Sequence, residues 1–180
     1  MSTRARRAGL LGAAGLLLAA PVLVGCSEAI FYEMSGMVYR DASGEITVGG
    51  ELDVYDLEVG DCFDESSESD PDVPEDSVSS VAAIPCDDPH TYEVYHVFTL
   101  PNGEYPGDDA VAAEAEEGCL NEFGVFVRAP YEDSPLEFSY YVPAEGGWDG
   151  TDRDRTIQCL LGSDGVSVTG TAEDSGRQAS

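Results

Sequence analysis

Apolar and polar positions alternate with a period of two along several stretches of this chain, and along one stretch they recur every three to four residues. Leu52, Val54, Leu57 and Val59 are spaced for a short strand or an extended lead-in, and Gly60 turns the chain into Asp61-Cys62-Phe63. Val81-Ala82-Ala83-Ile84, ahead of Pro85, predicts a second strand. Tyr92, Val94, His96 and Phe98 alternate with Glu93, Tyr95, Val97 and Thr99. Both sets are largely apolar, which predicts a central strand covered on both faces. Residues 136–142 and 156–161 predict two further strands, and Val166-Ser167-Val168 a short last one after a turn at 162–165. The apolar set Ala112, Ala115, Cys119, Phe123 and Phe126 predicts one helix, from Ala110 to about Val127. Glu114, Glu116, Glu117 and Glu122 take its outer side, and Asp108 and Asp109 suit its positive end. The predicted fold is α+β: a small, mostly antiparallel sheet with one main helix packed on it.

The first 25 residues follow a different logic. Arg4, Arg6 and Arg7 precede an uncharged apolar run over residues 8–24, the pattern of an export signal. The run is short for a membrane-spanning helix, which needs about 20 apolar residues. Leu23-Val24-Gly25-Cys26 matches the lipobox of bacterial lipoproteins at all four positions. That resemblance implies a diacylglycerol on the Cys26 sulfur, cleavage before Cys26, and a mature chain held on the outer face of the cell membrane. Two acyl chains anchor stably where one does not. Arg6-Arg7 suggests a twin-arginine route, but the residues after the pair fit it poorly, and Sec export is the expectation.

Composition changes the picture in two ways. The apolar fraction of 42% suits a chain that buries a core. Its charge is unusual: all eight basic residues are arginine, 36 acids oppose them, and the formal net charge is −28. Without residues 1–25, five arginines face the same 36 acids, a net charge of −31. Such a surface repels phosphate backbones and anionic headgroups, which excludes nucleic acid as a partner.

With Cys26 spent on lipid, Cys62, Cys86, Cys119 and Cys159 remain. An even number in an exported chain implies disulfides, and four cysteines allow three pairings. The sequential one, Cys62–Cys86 and Cys119–Cys159, closes moderate loops and uses the inward position of Cys119 on the helix, facing a mid-strand Cys159. No two cysteines stand in a CxxC arrangement, so a metal site with His90 and His96 is not expected, and neither is a cofactor.

The expected organisation is a signal peptide at 1–25, a flexible tether at 26–50, a folded domain at 51–171 and a disordered tail at 172–180. Within the tether, Met37-Val38-Tyr39 is weakly strand-like and Asp41-Ala42-Ser43-Gly44 reads as a turn. Residues 64–76 hold seven carboxylates among serines and prolines. That composition predicts a solvated loop, and its spacing is not that of an EF-hand. Residues 143–154 read as a long loop carrying Trp148.

Val59-Gly60-Asp61-Cys62-Phe63 resembles the opening of the septum-formation family of exported actinobacterial domains. The likeness extends through Val81 to Cys86, Pro89-His90, Glu93-Val94-Tyr95 and Tyr105-Pro106-Gly107, then Cys119 and Trp148, then Asp154-Arg155-Thr156-Ile157-Gln158-Cys159-Leu160-Leu161. It spans about residues 52–171. One departure is the stretch after Trp148, where the family has Gly-Asp-Arg close by and this chain has a longer gap and an extra Arg153. The resemblance implies a link to division septa and no particular chemistry.

Catalysis has little support in the residues. His90 behind Pro89 suits a hydrogen bond to the turn backbone, and His96 suits packing at a sheet edge. Either histidine with Ser134 or Ser139 and any of 36 carboxylates makes a nominal triad, and so many acids make the match uninformative. The expectation is a non-enzymatic binding or scaffold module that engages an envelope or divisome protein through an aromatic surface around Trp148, Tyr140 and Tyr141. The contrasting readings are a cell-wall hydrolase or its regulator, and an acidic coat protein with no discrete site. A hydrolase needs two carboxylates about 5–10 Å apart across a cleft.

Overall fold

The computed structural model describes residues 36–65, 78–150, 153–162 and 165–178. Cys26 and the apolar run before it lie outside the described residues, as does most of the acidic loop, 66–77. No described helix is long and apolar enough to cross a membrane.

Strands β1 (Tyr39–Arg40) and β2 (Ile46–Val48) pair antiparallel as a small ribbon. The turn between them is the one expected at 41–44, with Asp41 Oδ1 accepting from the N–H of Ser43 at 2.8 Å and of Glu45 at 3.2 Å. Six further strands follow: β3 (Gly50–Asp53), β4 (Cys62–Glu65), β5 (Ser80–Ile84), β6 (Tyr92–Thr99), β7 (Phe138–Tyr141) and β8 (Thr156–Leu161). They form one antiparallel sheet in the order β3-β5-β4-β6-β8-β7. Helix α1 (Asp108–Val127) connects β6 to β7, and the short α2 (Glu145–Asp149) follows β7. The α+β fold is thus the one the patterning predicts.

Both faces of the sheet are covered, because its central strands are apolar on both sides. On one face α1 buries Val111, Ala115, Cys119, Phe123 and Val127 against Tyr95, Ile157, Cys159 and Leu161. This stripe advances four residues at a time, so Val111 and Val127 replace the expected Ala112 and Phe126 as its ends. Gly118 is what lets the helix come close: a Cβ there would land on the ring of Phe98. The helix starts after Gly107, whose φ of 96° a side chain would disfavour. No side-chain cap bond forms there, and Asp108 instead accepts the Tyr105 hydroxyl.

The other face carries a smaller core of Val54, Leu57, Phe63, Val81, Tyr92, Val94 and Leu160. It is roofed by a single 3₁₀ turn, Val54–Asp56, with Asp53 as its cap: Asp53 Oδ1 accepts the Tyr55 N–H at 2.9 Å. Gln158, buried on β8, donates from Nε2 to the carbonyl of Val54 at 2.5 Å and pins this roof to the sheet.

The disulfides are Cys62–Cys86 and Cys119–Cys159. The first ties β4 to the turn after β5, and the second ties α1 to β8 across the larger core.

Ordered structure begins ahead of the boundary expected at Glu51. Residues 39–48 form the ribbon, Ile46 is buried, and Arg40 forks onto Asp61. It also continues past 171. The Ala172 N–H donates to Glu93 at 2.7 Å, Ala172 packs on the helix-side core, Arg128 pairs with Asp174 at 2.8 Å, and Ser175–Gln178 forms a 3₁₀ turn. The first segment shows Gly, Ser and scattered acids without a long apolar repeat, and the second has few apolar residues, so neither announces itself as folded. Their order comes from a few specific polar contacts with the domain. The strand expected at 166–168 is narrower than predicted, a single bridge between Val168 and His90.

Candidate functional site

Strand alternation decides which aromatic residues can share a surface. On β7 and β8, Tyr140 stands opposite Cys159 and Tyr141 opposite Gln158. Neighbours on a strand point to opposite faces. Tyr140 therefore packs with the helix-side core, while Tyr141 packs beside Phe63 on the other face, ring centroids 6.2 Å apart. The pleat sends their rings to opposite faces, yet both residues line one groove at the β7–β8 end of the sheet.

Trp148 does not join a surface at all. It is only 3% exposed, sits in α2 rather than in a loop, and donates from Nε1 to the carbonyl of Gly103 at 2.9 Å. The ring of Tyr105 meets it edge-on at 5.4 Å, and the Arg155 guanidinium lies 3.7 Å from its ring centre. A large ring with one polar atom is stably buried when that atom finds a partner, and here Gly103 supplies it. Arg155, also buried, donates from Nη1 to Trp148 O at 2.7 Å and to Asp154 O at 2.8 Å. The Trp–Asp–Arg stretch thus builds a cation–π clasp that closes one end of the larger core.

The most exposed aromatic residue among the described ones is Tyr55, on the roof turn, with 58% of its surface accessible. It overlooks a groove of about 310 Å³ between the roof and the β7–β8 end of the sheet. Tyr141, Val142, Thr156 and Gln158 line the groove, the edge of Tyr140 contributes to its wall, and Asp154 is its only described carboxylate. Asp154 Oδ1 accepts the Thr156 N–H at 2.8 Å. Tyr55 went unnoticed in the sequence because it stands among Leu52, Val54 and Leu57, which suggest continuous strand. The cue was Asp53, a cap residue two positions before it.

Neither histidine lines this groove. His90 is buried, with Nδ1 2.8 Å from the carbonyl of Asp88, an acceptor that places the proton on Nδ1. His96 stacks on Phe98 with centroids 5.6 Å apart, on the part of β6 beyond the reach of β4, whose pairing covers only Tyr92 and Glu93. Both match their expected structural roles.

Glu93, buried near His90, accepts from the Thr171 hydroxyl and the Ala172 N–H. Burial raises its pKa above the usual 4.5, opposed by those two hydrogen bonds and by His90. Among the described residues, Cys62, Cys86 and Glu93 are close enough to share a metal. The two sulfurs are bonded to each other, however, and offer no thiolate.

The groove offers shape and hydrogen-bonding groups. It has an aromatic overhang, a polar sheet floor and a disulfide-braced frame. Residues 59–179, two thirds of the chain, match the family described as septum formation. No curated protein and no solved structure matches the chain significantly. With the matched segment running from just before β4 to the C-terminal turn, the chain belongs to the septum-formation family.

Proposed function

We propose that this protein is a lipid-anchored module of the cell envelope, tethered through Cys26 on the extracytoplasmic face. There it binds an envelope or divisome protein through the Tyr55 groove and does no chemistry of its own. The observation that carries this reading is the groove itself: an exposed tyrosine over tyrosine, valine, threonine and glutamine, with one described carboxylate and neither histidine. Exposed aromatic rings beside hydrogen-bonding groups are the usual anchors of protein recognition. A glycosidase-type mechanism needs two opposed carboxylates, which the described lining of this groove lacks. The family link to septum formation and the two disulfides are in keeping with an exported partner-binding domain.

The test follows the full chain in dividing cells. Wild type is expected at the membrane with enrichment at septa. Tyr55→Ala should keep the membrane signal and both disulfides but lose the septal enrichment. Cys26→Ala should accumulate as an unprocessed precursor without lipid label. Septal enrichment that survives Tyr55→Ala would overturn the groove as the binding surface, and lipid label on Cys26→Ala would overturn the anchor.

A further inference from the structure

In a chain this acidic, an arginine without a carboxylate partner is the unusual case. Arg40 pairs with Asp61 and Arg128 with Asp174. Arg153 and Arg155 pair with no carboxylate among the described residues, and both line one recess of about 460 Å³. The recess adjoins the groove and shares Tyr55, Asp154 and Thr156 with it. Asn102 lines it from the β6–α1 connection.

Arg155 is held by the Trp148 ring and by carbonyl oxygens, so its charge is not neutralised. Its surface is 9% exposed, its Nη2 reaches Gly103 O only at 3.4 Å, and its Nε–H has no acceptor among the described residues. Arg153 is exposed, with its backbone in the left-handed region at φ 50°. Asp154 is the one carboxylate of the described lining, which so carries two positive charges against one negative. At physiological salt the Debye length is about 8 Å, so the charges of the lining weigh more at the recess than acids farther away.

We infer that this recess is a recognition site for a free carboxylate, gripped by Arg153 and Arg155 beside the Tyr55 ring. A carboxylate is planar and has two oxygens, which matches the guanidinium fork. Its single charge equals the excess of one in the described lining, whereas a phosphate dianion exceeds it and meets Asp154. Asn102 adds an uncharged amide, and Tyr55 supplies an apolar wall for the group bearing the carboxylate. The inference rests on reading the Tyr55 groove as a binding surface, and it names the chemistry recognised at one end of it. A peptide C-terminus and an acidic side chain both present that chemistry.

Trp148 is the chain's only tryptophan and lies directly under Arg155, so its fluorescence reports on the recess. The full lipidated chain in detergent micelles is titrated at fixed ionic strength with N-acetyl-dialanine, its C-terminal amide, and N-acetyl-glutamate amide. A saturable change is expected with a free carboxylate, at least tenfold weaker with the dialanine amide. Preference for the dialanine acid over the glutamate compound identifies a peptide C-terminus; the reverse identifies an acidic side chain. Arg153→Ala should weaken binding at least tenfold and Arg153→Lys should recover part of it, with both variants melting like wild type. Equal response to acid and amide, no saturable change, or wild-type binding by Arg153→Ala would overturn the assignment. Septal enrichment is scored separately: its loss in Tyr55→Ala with no carboxylate binding leaves the groove reading standing and this one fallen.

Discussion

Arg40 grips Asp61 with both ends of its guanidinium, Nη1 donating to Oδ1 and Nη2 to Oδ2 at 2.7 Å. Asp61 is only 3% exposed and also takes the Glu58 N–H at 2.7 Å. The contact fastens the ribbon to the start of β4 and makes the segment before Glu51 part of the folded unit. Arg40→Ala leaves a buried carboxylate with one hydrogen bond, and a loss of about 3 kcal/mol is expected, the lower end for stripping a buried ion of its partner. Arg40→Lys should recover only part, because an ammonium cannot fork. Urea unfolding of the three proteins measures this, and equal midpoints for Arg40→Ala and wild type would refute it.

The two disulfides close loops of 24 and 40 residues. In the chain-entropy account these contribute about 3.5 and about 4 kcal/mol. Replacing both cysteines of either pair by alanine should lower stability by about that much, with different local signatures. Without Cys119–Cys159, amide exchange should rise in α1, which loses its covalent tie to β8. Without Cys62–Cys86, it should rise around the turn at 86–90. Unreduced peptide mapping that returns crossed pairs or free thiols would remove the basis of both expectations.

Periodicity carried the reading of α1, β5, β6 and β8, because each pairs a strong apolar repeat with an adjacent turn signal. It also carried the inward position of Cys119, since four-residue steps place that residue between Ala115 and Phe123. The rest was hidden for definite reasons. β1 and β2 are two and three residues long, and their order depends on Arg40 meeting an acid 21 residues away. Trp148 is buried by Gly103 and Arg155, 45 residues before it and seven after, a convergence no local pattern reveals. Tyr140 and Tyr141 line one groove, but the pleat packs their rings against different cores, which adjacency in sequence does not reveal. Tyr55 became prominent only because the chain turns at Asp53 instead of continuing as strand.

Glu93 makes stability depend on pH in a way that one substitution isolates. It faces Cys62 across the β4–β6 pair, and burial, the dominant cause, raises its pKa in the folded state above 4.5 despite opposing hydrogen bonds. The folded protein thus binds this proton more tightly than the unfolded chain. Its contribution is intact at pH below 4.5 and is lost as pH rises through the raised folded value. Glu93→Gln stays neutral and keeps an oxygen for the Ala172 N–H. It should melt above wild type at pH 7.5 and level with it at pH 4. Comparing the pair cancels the titration of the other acids, including nearby Glu173. A melting difference that does not change with pH would contradict this.

Salt should stabilise the protein, by an argument from charge alone. From Cys26 onward, 155 residues carry a net charge of −31 without a single lysine. Among the described residues only two ion pairs offset it. Self-repulsion of this size favours the expanded chain. The charges are also clustered: Glu114, Glu116 and Glu117 crowd one exposed turn of α1, and residues 64–76 hold seven acids. Raising sodium chloride from 10 to 300 mM shortens the Debye length from about 30 Å to about 6 Å, which screens repulsion between all but the nearest of these groups. The melting temperature of the chain from residue 27 should rise across that range and then level off. At matched ionic strength, calcium chloride should do no more than sodium chloride if the acids stay solvated and separate. A flat response to sodium chloride would refute the repulsion argument. A calcium-specific rise, lost when the acids at 64–76 are replaced by their amides, would show instead that those carboxylates converge on a cation.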